Sequence, residues 1–240
     1  MASFFRRFRV FAAALAFGLA LLGSGSAARA EHDTATPEQQ AFEKDIHDYL
    51  LAHPDVVLEV LQILRQRQQA AEDAQARAAL VAHRDALVNN PDDPVVGNPD
   101  GDVTLVEFFD YNCPYCKRSL KDLQTLVRDD PGLRIVMKEF PILGPGSLVA
   151  AKAALASRRQ APEKYNEFHD AMMSSRGRLT ATRIMDIAAE VGFDADRLET
   201  DMADPEIQAV IDRNVALARA LGINGTPAFV VGDRLAPGAV

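Results

Sequence analysis

The chain has 240 residues, 26 basic and 34 acidic side chains, a formal charge of −8 and two cysteines. That balance argues against non-specific nucleic-acid binding, which needs a basic surface, and so few cysteines exclude a disulfide-built scaffold. The length is enough to bury an apolar core without staples.

The first thirty residues read as a secretory signal peptide. Arg6, Arg7 and Arg9 form a basic start, residues 10–22 an apolar run, and Ala28-Arg29-Ala30 an A-x-A cleavage signal. The run is shorter than the roughly 20 apolar residues that span a bilayer, so cleavage after Ala30 is expected rather than anchoring. With no cysteine near that site, a lipoprotein is excluded. Cleavage removes four arginines and no acid, taking the charge from −8 to −12. The remainder is expected in the periplasm, an oxidising compartment where thiol chemistry is meaningful.

Residues 31–88 are read as a helical arm, dense in Ala, Gln, Glu, Arg and Leu. His53-Pro54-Asp55 interrupts it, and Pro54 is predicted to start a second helix. Val57, Leu64, Ala71 and Ala78 then fall seven apart, with Val60, Ala74 and Val81 three residues later and Arg67 breaking the second line. This partial heptad suggests a long helix with a weak self-association face; the competing readings are a helix lying along its own domain and a solvated stalk. Asn89-Asn90-Pro91-Asp92-Asp93-Pro94 and Gly97-Asn98-Pro99-Asp100-Gly101-Asp102 make residues 89–102 a turn-rich linker and a hinge.

Residues 103–240 alternate. Val103-Thr104-Leu105-Val106-Glu107-Phe108-Phe109 has a buried-strand pattern. A helix opens at the cysteines and stops before Asp130-Pro131-Gly132. Leu133-Arg134-Ile135-Val136-Met137 is a second strand, which makes a βαβ unit with a parallel pair. Residues 147–221 are helical in period, with breaks near Ala161-Pro162, Arg176-Gly177 and Gly192-Phe193, and with Thr180 and Asp204-Pro205 as helix starts. Ala228-Phe229-Val230-Val231 is a third strand, turned by Gly232-Asp233.

The chemistry centres on Cys113-Pro114-Tyr115-Cys116. As a staple this pair is weak, since so small a ring removes only about 2 kcal/mol of unfolded-chain entropy. As a redox pair it is well formed: one thiolate attacks a disulfide and the other resolves the mixed intermediate. Cys113 follows a strand and opens a helix, with Pro114 suited to the first helical position. Free N–H groups and the helix dipole at that end favour its thiolate. Cys116, one turn in, is expected to be the buried resolving thiol. Glu107 either faces outward on its strand or lies beneath the cysteines as proton acceptor for Cys116. Pro227, in Gly225-Thr226-Pro227 before the last strand, is either an ordinary strand-start proline or a cis proline that presents the Thr226 backbone to an extended peptide.

The run from Val106 to Cys116, followed by Gly225-Thr226-Pro227-Ala228-Phe229, resembles the DsbA family of thioredoxin-fold oxidoreductases. Residues 42–56, from Phe42 to Val56, are similar to the amino-terminal region of the suppressor-of-copper-sensitivity C proteins. The resemblance implies an α/β thioredoxin fold with an inserted helical domain, preceded by a helical arm. It implies a protein disulfide oxidoreductase with Cys113 attacking, Cys116 resolving and Glu107 as the buried acid. Pro114, Tyr115, Thr226 and Pro227 would contact substrate. Thr before the proline resembles isomerase-type members more than dedicated oxidases. The resemblance as a whole implies exported thiol or disulfide proteins as substrates and a membrane thiol reductase (DsbD- or ScsB-like) as electron donor, and the likeness of residues 42–56 implies a link to copper tolerance. The arm resembles helices that make some relatives trimeric, while others are monomers. No cofactor is expected beyond the redox-active Cys113–Cys116 disulfide, and no metal. The family pattern continues past the last strand with a helix that packs on the sheet; with the printed sequence reaching Val240, one sheet face is expected to be poorly covered.

Two other readings compete. A DsbA-like dithiol oxidase would use the same residues with the opposite resting state. A Cu(I)-binding protein would use the two thiolates as soft ligands, without help from His32, His47, His53, His83 and His169, which are scattered along the chain.

Overall fold

The computed structural model describes residues 36–238. The signal peptide and its cleavage site lie outside the described residues. The chain divides into two compact units, split between Val60 and Leu61.

In the first unit, α1 (Pro37–Ala52) starts with a reciprocal cap: Thr36 Oγ1 accepts from the Gln39 amide, and Gln39 Oε1 accepts from the Thr36 amide at 2.7 Å. None of its residues is buried. α2 (Pro54–Ala82) begins at the predicted proline.

In the second unit, α2 ends near a short helix, α3 (Arg84–Val88). A five-stranded sheet follows, built from β1 (Val95–Gly97), β2 (Val103–Phe109), β3 (Leu133–Glu139), β4 (Ala228–Val231) and β5 (Arg234–Pro237), in the order β1-β3-β2-β4-β5. β2 and β3 are parallel and joined by α4 (Pro114–Asp129), as the βαβ reading requires; the other pairs are antiparallel. Between β3 and β4 lie α5 (Pro145–Gln160), α6 (Tyr165–Ser174), α7 (Ala181–Val191), α8 (Ala195–Met202) and α9 (Pro205–Ala220). The predicted starts hold: Thr180 caps α7 through the Arg183 amide, and Asp204 caps α9 through the Glu206 amide. Gly192 closes α7 at φ +90°, a left-handed conformation that favours glycine.

Two expectations need correction. The linker is not a free hinge, because residues 95–97 add an antiparallel edge strand to β3. Gly97 ends that strand at φ +82°, where a Cβ would sit 2.5 Å from the Leu133 carbonyl oxygen. The second correction concerns the sheet face expected to be bare. Val106, Phe108, Val136 and Val230 on that face are buried with Leu80 of α2, Leu87 of α3, and Leu217, Leu221 and Ile223 at the end of α9. The last turns of the helical arm thus supply the cover. A groove of about 400 Å³ remains between α3 and the end of β4.

Lys138, one residue from the end of β3, is fully buried on this same face. It pairs with the equally buried Asp93 and donates to the Ala86 carbonyl at 2.5 Å. This ties the segment before β1 and the end of α3 to the sheet. The opposite face, carrying Leu105, Glu107, Phe109, Met137 and Glu139, packs under α4 and the helical insertion. Alanines 150, 151, 153, 154 and 156 of α5 are all buried there, so neighbouring helices approach that helix closely.

Candidate active site

β2 ends at Phe109 and α4 starts at Pro114, so four residues turn the chain from the end of the central strand into the helix. Asp110 organises that turn: its carboxylate accepts from the Asn112 amide at 2.7 Å and from the Leu143 amide at 2.9 Å. Asn112 then reaches into the helical insertion, accepting from the Leu179 amide at 2.7 Å and donating to Ser147 Oγ at 3.1 Å. These bonds fix the thiol-bearing turn to both halves of the domain. Neither residue was assigned a role from the sequence, where nothing marks a polar side chain as bonded to residues 33 to 67 positions away.

Cys113 is the N-cap of α4 in an extended conformation (φ −79°, ψ 118°), and Pro114 occupies the first turn, as the sequence indicated. The Cys113 thiol donates to the Thr226 carbonyl at 3.1 Å. The Thr226–Pro227 peptide bond is cis, so Pro227 is not an ordinary trans proline at a strand start. Both cysteines are thiols and both are buried, Cys113 at 3% exposure and Cys116 at 1%. Only Cys116 was expected inside; the Thr226 carbonyl lies against the Cys113 sulfur and helps to cover it. Burial pushes the Cys116 thiol well up, and the Glu107 and Cys113 charges add to that, while a backbone hydrogen bond at Asp110 opposes it.

Glu107 faces inward, 1% exposed, and its Oε1 has no hydrogen-bond partner among the protein groups. Burial raises its pKa to about 8. A carboxyl in that range can both take and release a proton near neutral pH. Tyr115 and Pro114 are exposed beside the thiols, and the Arg118 guanidinium lies 4.3 Å from the Tyr115 ring centroid. Thr226 is half-buried and Pro227 buried. The structure therefore brings Cys113, Cys116, Glu107, Thr226 and Pro227 together at one strand–helix junction. Among the described residues no group of three or more His, Cys, Asp or Glu side chains could hold a metal ion.

The family model of the DSBA-like thioredoxin domain matches residues 104–240. The chain belongs to the DsbA-like thioredoxin family. This is a family of thiol–disulfide oxidoreductases, and the sheet with its helical insertion is its arrangement here. A second model, the copper resistance protein ScsC N-terminal domain, matches residues 38–71.

Among DsbA-like structures, a thioredoxin-like oxidoreductase from Silicibacter pomeroyi is 55% identical, with a TM-score of 0.63 over 65% of this chain and 90% of that one. Proteus mirabilis ScsC in a transitional conformation is 30% identical, with a TM-score of 0.63 over 86% of this chain and 91% of that one. A curated relative, the Na(+)/H(+) antiporter NhaA 1 of Salinispora arenicola, is 32% identical over 148 residues. The match takes in 60% of this chain and only 22% of that protein, so the chain spans about a quarter of the length of such relatives. Among the described residues no helix is long and apolar enough to cross a membrane.

Proposed function

We propose that this DsbA-like protein is a periplasmic disulfide isomerase or reductase that acts on exported proteins through Cys113 and Cys116. The observation that carries the reading is the Cys113 thiol 3.1 Å from the carbonyl of Thr226, which precedes a cis proline, with Cys116 and Glu107 behind it. An extended substrate pairing with the Thr226 backbone would bring its sulfur to Cys113. The Cys113 thiolate attacks a substrate disulfide sulfur and forms a mixed disulfide, releasing one substrate thiolate. In isomerisation, another substrate thiol displaces Cys113. In reduction, Cys116 gives its proton to Glu107 and attacks the Cys113 sulfur, releasing the second substrate thiolate. The resulting Cys113–Cys116 disulfide is then reduced by a membrane thiol reductase.

Three further features support this assignment. A Thr before the cis proline fits an isomerase-type loop. The match of residues 38–71 to a copper resistance N-terminal domain supports a link with copper tolerance. In the first unit, Phe42, Ile46, Tyr49, Leu51, Val57, Leu58 and Val60 are all exposed, an apolar surface suited to bringing copies together, as a trimer or otherwise. Acid quenching of cells followed by thiol alkylation tests the direction of electron flow. The isomerase reading expects both thiols free, and a resting Cys113–Cys116 disulfide would make the protein a dithiol oxidase. Deleting residues 31–60, which leaves Leu80 and Leu87 in place against the sheet, is expected to lower isomerase activity; full activity without them would reduce that part of the arm to a spacer.

A further inference from the structure

The active-site face of the sheet holds more titratable groups than the two thiols and Glu107. Glu139 leaves the same face as Glu107 from the adjacent parallel strand, two residues further along the register, in which Glu107 pairs with Met137. Its carboxyl accepts from the Tyr111 hydroxyl at 3.3 Å, and that hydroxyl lies 3.0 Å from His169 Nδ1 on α6. All three side chains are buried. His169 also lines a cavity of about 390 Å³ that α4, α6 and β3 bound, together with Gln124, Asn166 and Asp170.

We propose that Glu139, Tyr111 and His169 form a buried proton path that connects Glu107, beneath Cys116, to this cavity. The proposal rests on the thiol–disulfide reading and answers a question that reading raises. When Cys116 gives its proton to Glu107 and attacks the Cys113 sulfur, the proton is left inside the domain. It must leave before the next turnover, and the reductive half-reaction must bring one back.

A phenol between a carboxyl and an imidazole suits that task. The hydroxyl has one proton, which points to Glu139 or to His169 Nδ1 in turn: turned to His169, it passes its proton there while accepting one from a protonated Glu139, and turned to Glu139 it carries a proton the other way. Burial favours the neutral form of each, raising Glu139 and Tyr111 and lowering His169 to about 4. A chain of neutral groups passes a proton without holding a charge in an apolar interior. Glu107 and Glu139 are diagonal neighbours on one sheet face, near enough for the Glu107 charge to act on Glu139, and each has one carboxyl oxygen without a protein hydrogen bond. The charged and titratable groups around the path are few. Asp110 at the end of β2 and Asp93 before β1 raise Glu139 further, Tyr165 of α6 and Arg158 of α5 act at the Tyr111 end, and Asp170 follows His169. Lys138 lies on the other face of the sheet. Glu139, Tyr111 and His169 are therefore positioning residues that act on the thiols only through Glu107.

The test uses 5,5′-dithiobis(2-nitrobenzoate) on the full reduced protein. Attack by Cys113 releases one thionitrobenzoate, and attack by Cys116 on the mixed disulfide releases the second, so stopped-flow absorbance separates the two steps. Tyr111→Phe breaks the path by removing one hydroxyl. His169→Gln keeps a hydrogen-bond partner for Tyr111 but cannot carry a proton from one ring nitrogen to the other. Both are expected to slow the second phase by about tenfold or more, to leave the first unchanged, and to alter the pH profile of the second alone. Equal slowing of both phases, the mark of a structural role, would overturn the path. So would a second phase within about twofold of the parent in both variants, against the tenfold or greater effect of proton transfer. A parent protein with no second phase would overturn the thiol–disulfide reading as well.

Discussion

Replacing Glu107 with Gln removes a titrating group and keeps the shape of the side chain. In the folded protein, burial holds the Glu107 carboxyl at about 8, against an ordinary value of 4.5. Between those values the folded chain binds a proton that the unfolded chain has lost. Stability contributed at this site is therefore present at low pH and falls as the pH rises from 4.5 towards 8. The slope is about 1.4 kcal/mol per pH unit, and the whole interval amounts to about 5 kcal/mol. Gln has no such proton to lose. Urea unfolding of the two reduced proteins should give similar stabilities near pH 4.5, with Glu107→Gln gaining as the pH rises, up to about 5 kcal/mol at pH 8. Groups common to both proteins largely cancel in the difference. A difference that stays flat between pH 5 and 8 would refute the claim that Glu107 is a desolvated carboxyl beneath the thiols.

Other substitutions test neighbouring parts of the account. Cys116→Ala should leave mixed disulfides between Cys113 and substrate unresolved, visible as thiol-sensitive adducts by non-reducing mass spectrometry, whereas Cys113→Ala should form none. Lys138→Met strands the Asp93 carboxylate in the interior and should destabilise the fold by about 3–5 kcal/mol, with Asp93→Leu in the same chain restoring much of it in a denaturant titration. Asn112→Ala leaves the Leu179 amide and Ser147 hydroxyl without their partner. It should cost about 1–3 kcal/mol, and calorimetry should show the loss as a lower Tm.

The parts of the fold that could be read in the sequence were those with local causes. Pro54, Pro114, Thr180 and Asp204 each act within one helical turn, and each marked a helix start correctly. The β2–α4–β3 unit was legible because two apolar runs flank a helix of the right length. β1 and β5 were not, since three or four residues rich in Gly, Pro or Arg carry no alternation; pairing with β3 and β4 makes them strands. Cover for the second sheet face was missed for a related reason. Leu80 and Leu87 look like ordinary members of a helical arm until the sheet is placed beneath them.

The same division holds at the site. Cys113, Cys116 and the Thr226-Pro227 loop were visible as motifs. Whether Glu107 faced in or out was not, because its strand is buried on both sides and periodicity gives no answer. Glu139 and His169 gave even less: one ends a strand next to a lysine, and the other counted as one of five scattered histidines. Only the fold brings them within reach of the Tyr111 hydroxyl.

The most direct test of the whole account is reactivation of scrambled ribonuclease in a glutathione buffer, comparing the protein from residue 31 onward with the same chain carrying Cys113→Ser. The account predicts that the parent restores ribonuclease activity faster than buffer alone and that Cys113→Ser does not. Reactivation no faster than buffer, or equal reactivation by both proteins, would contradict it.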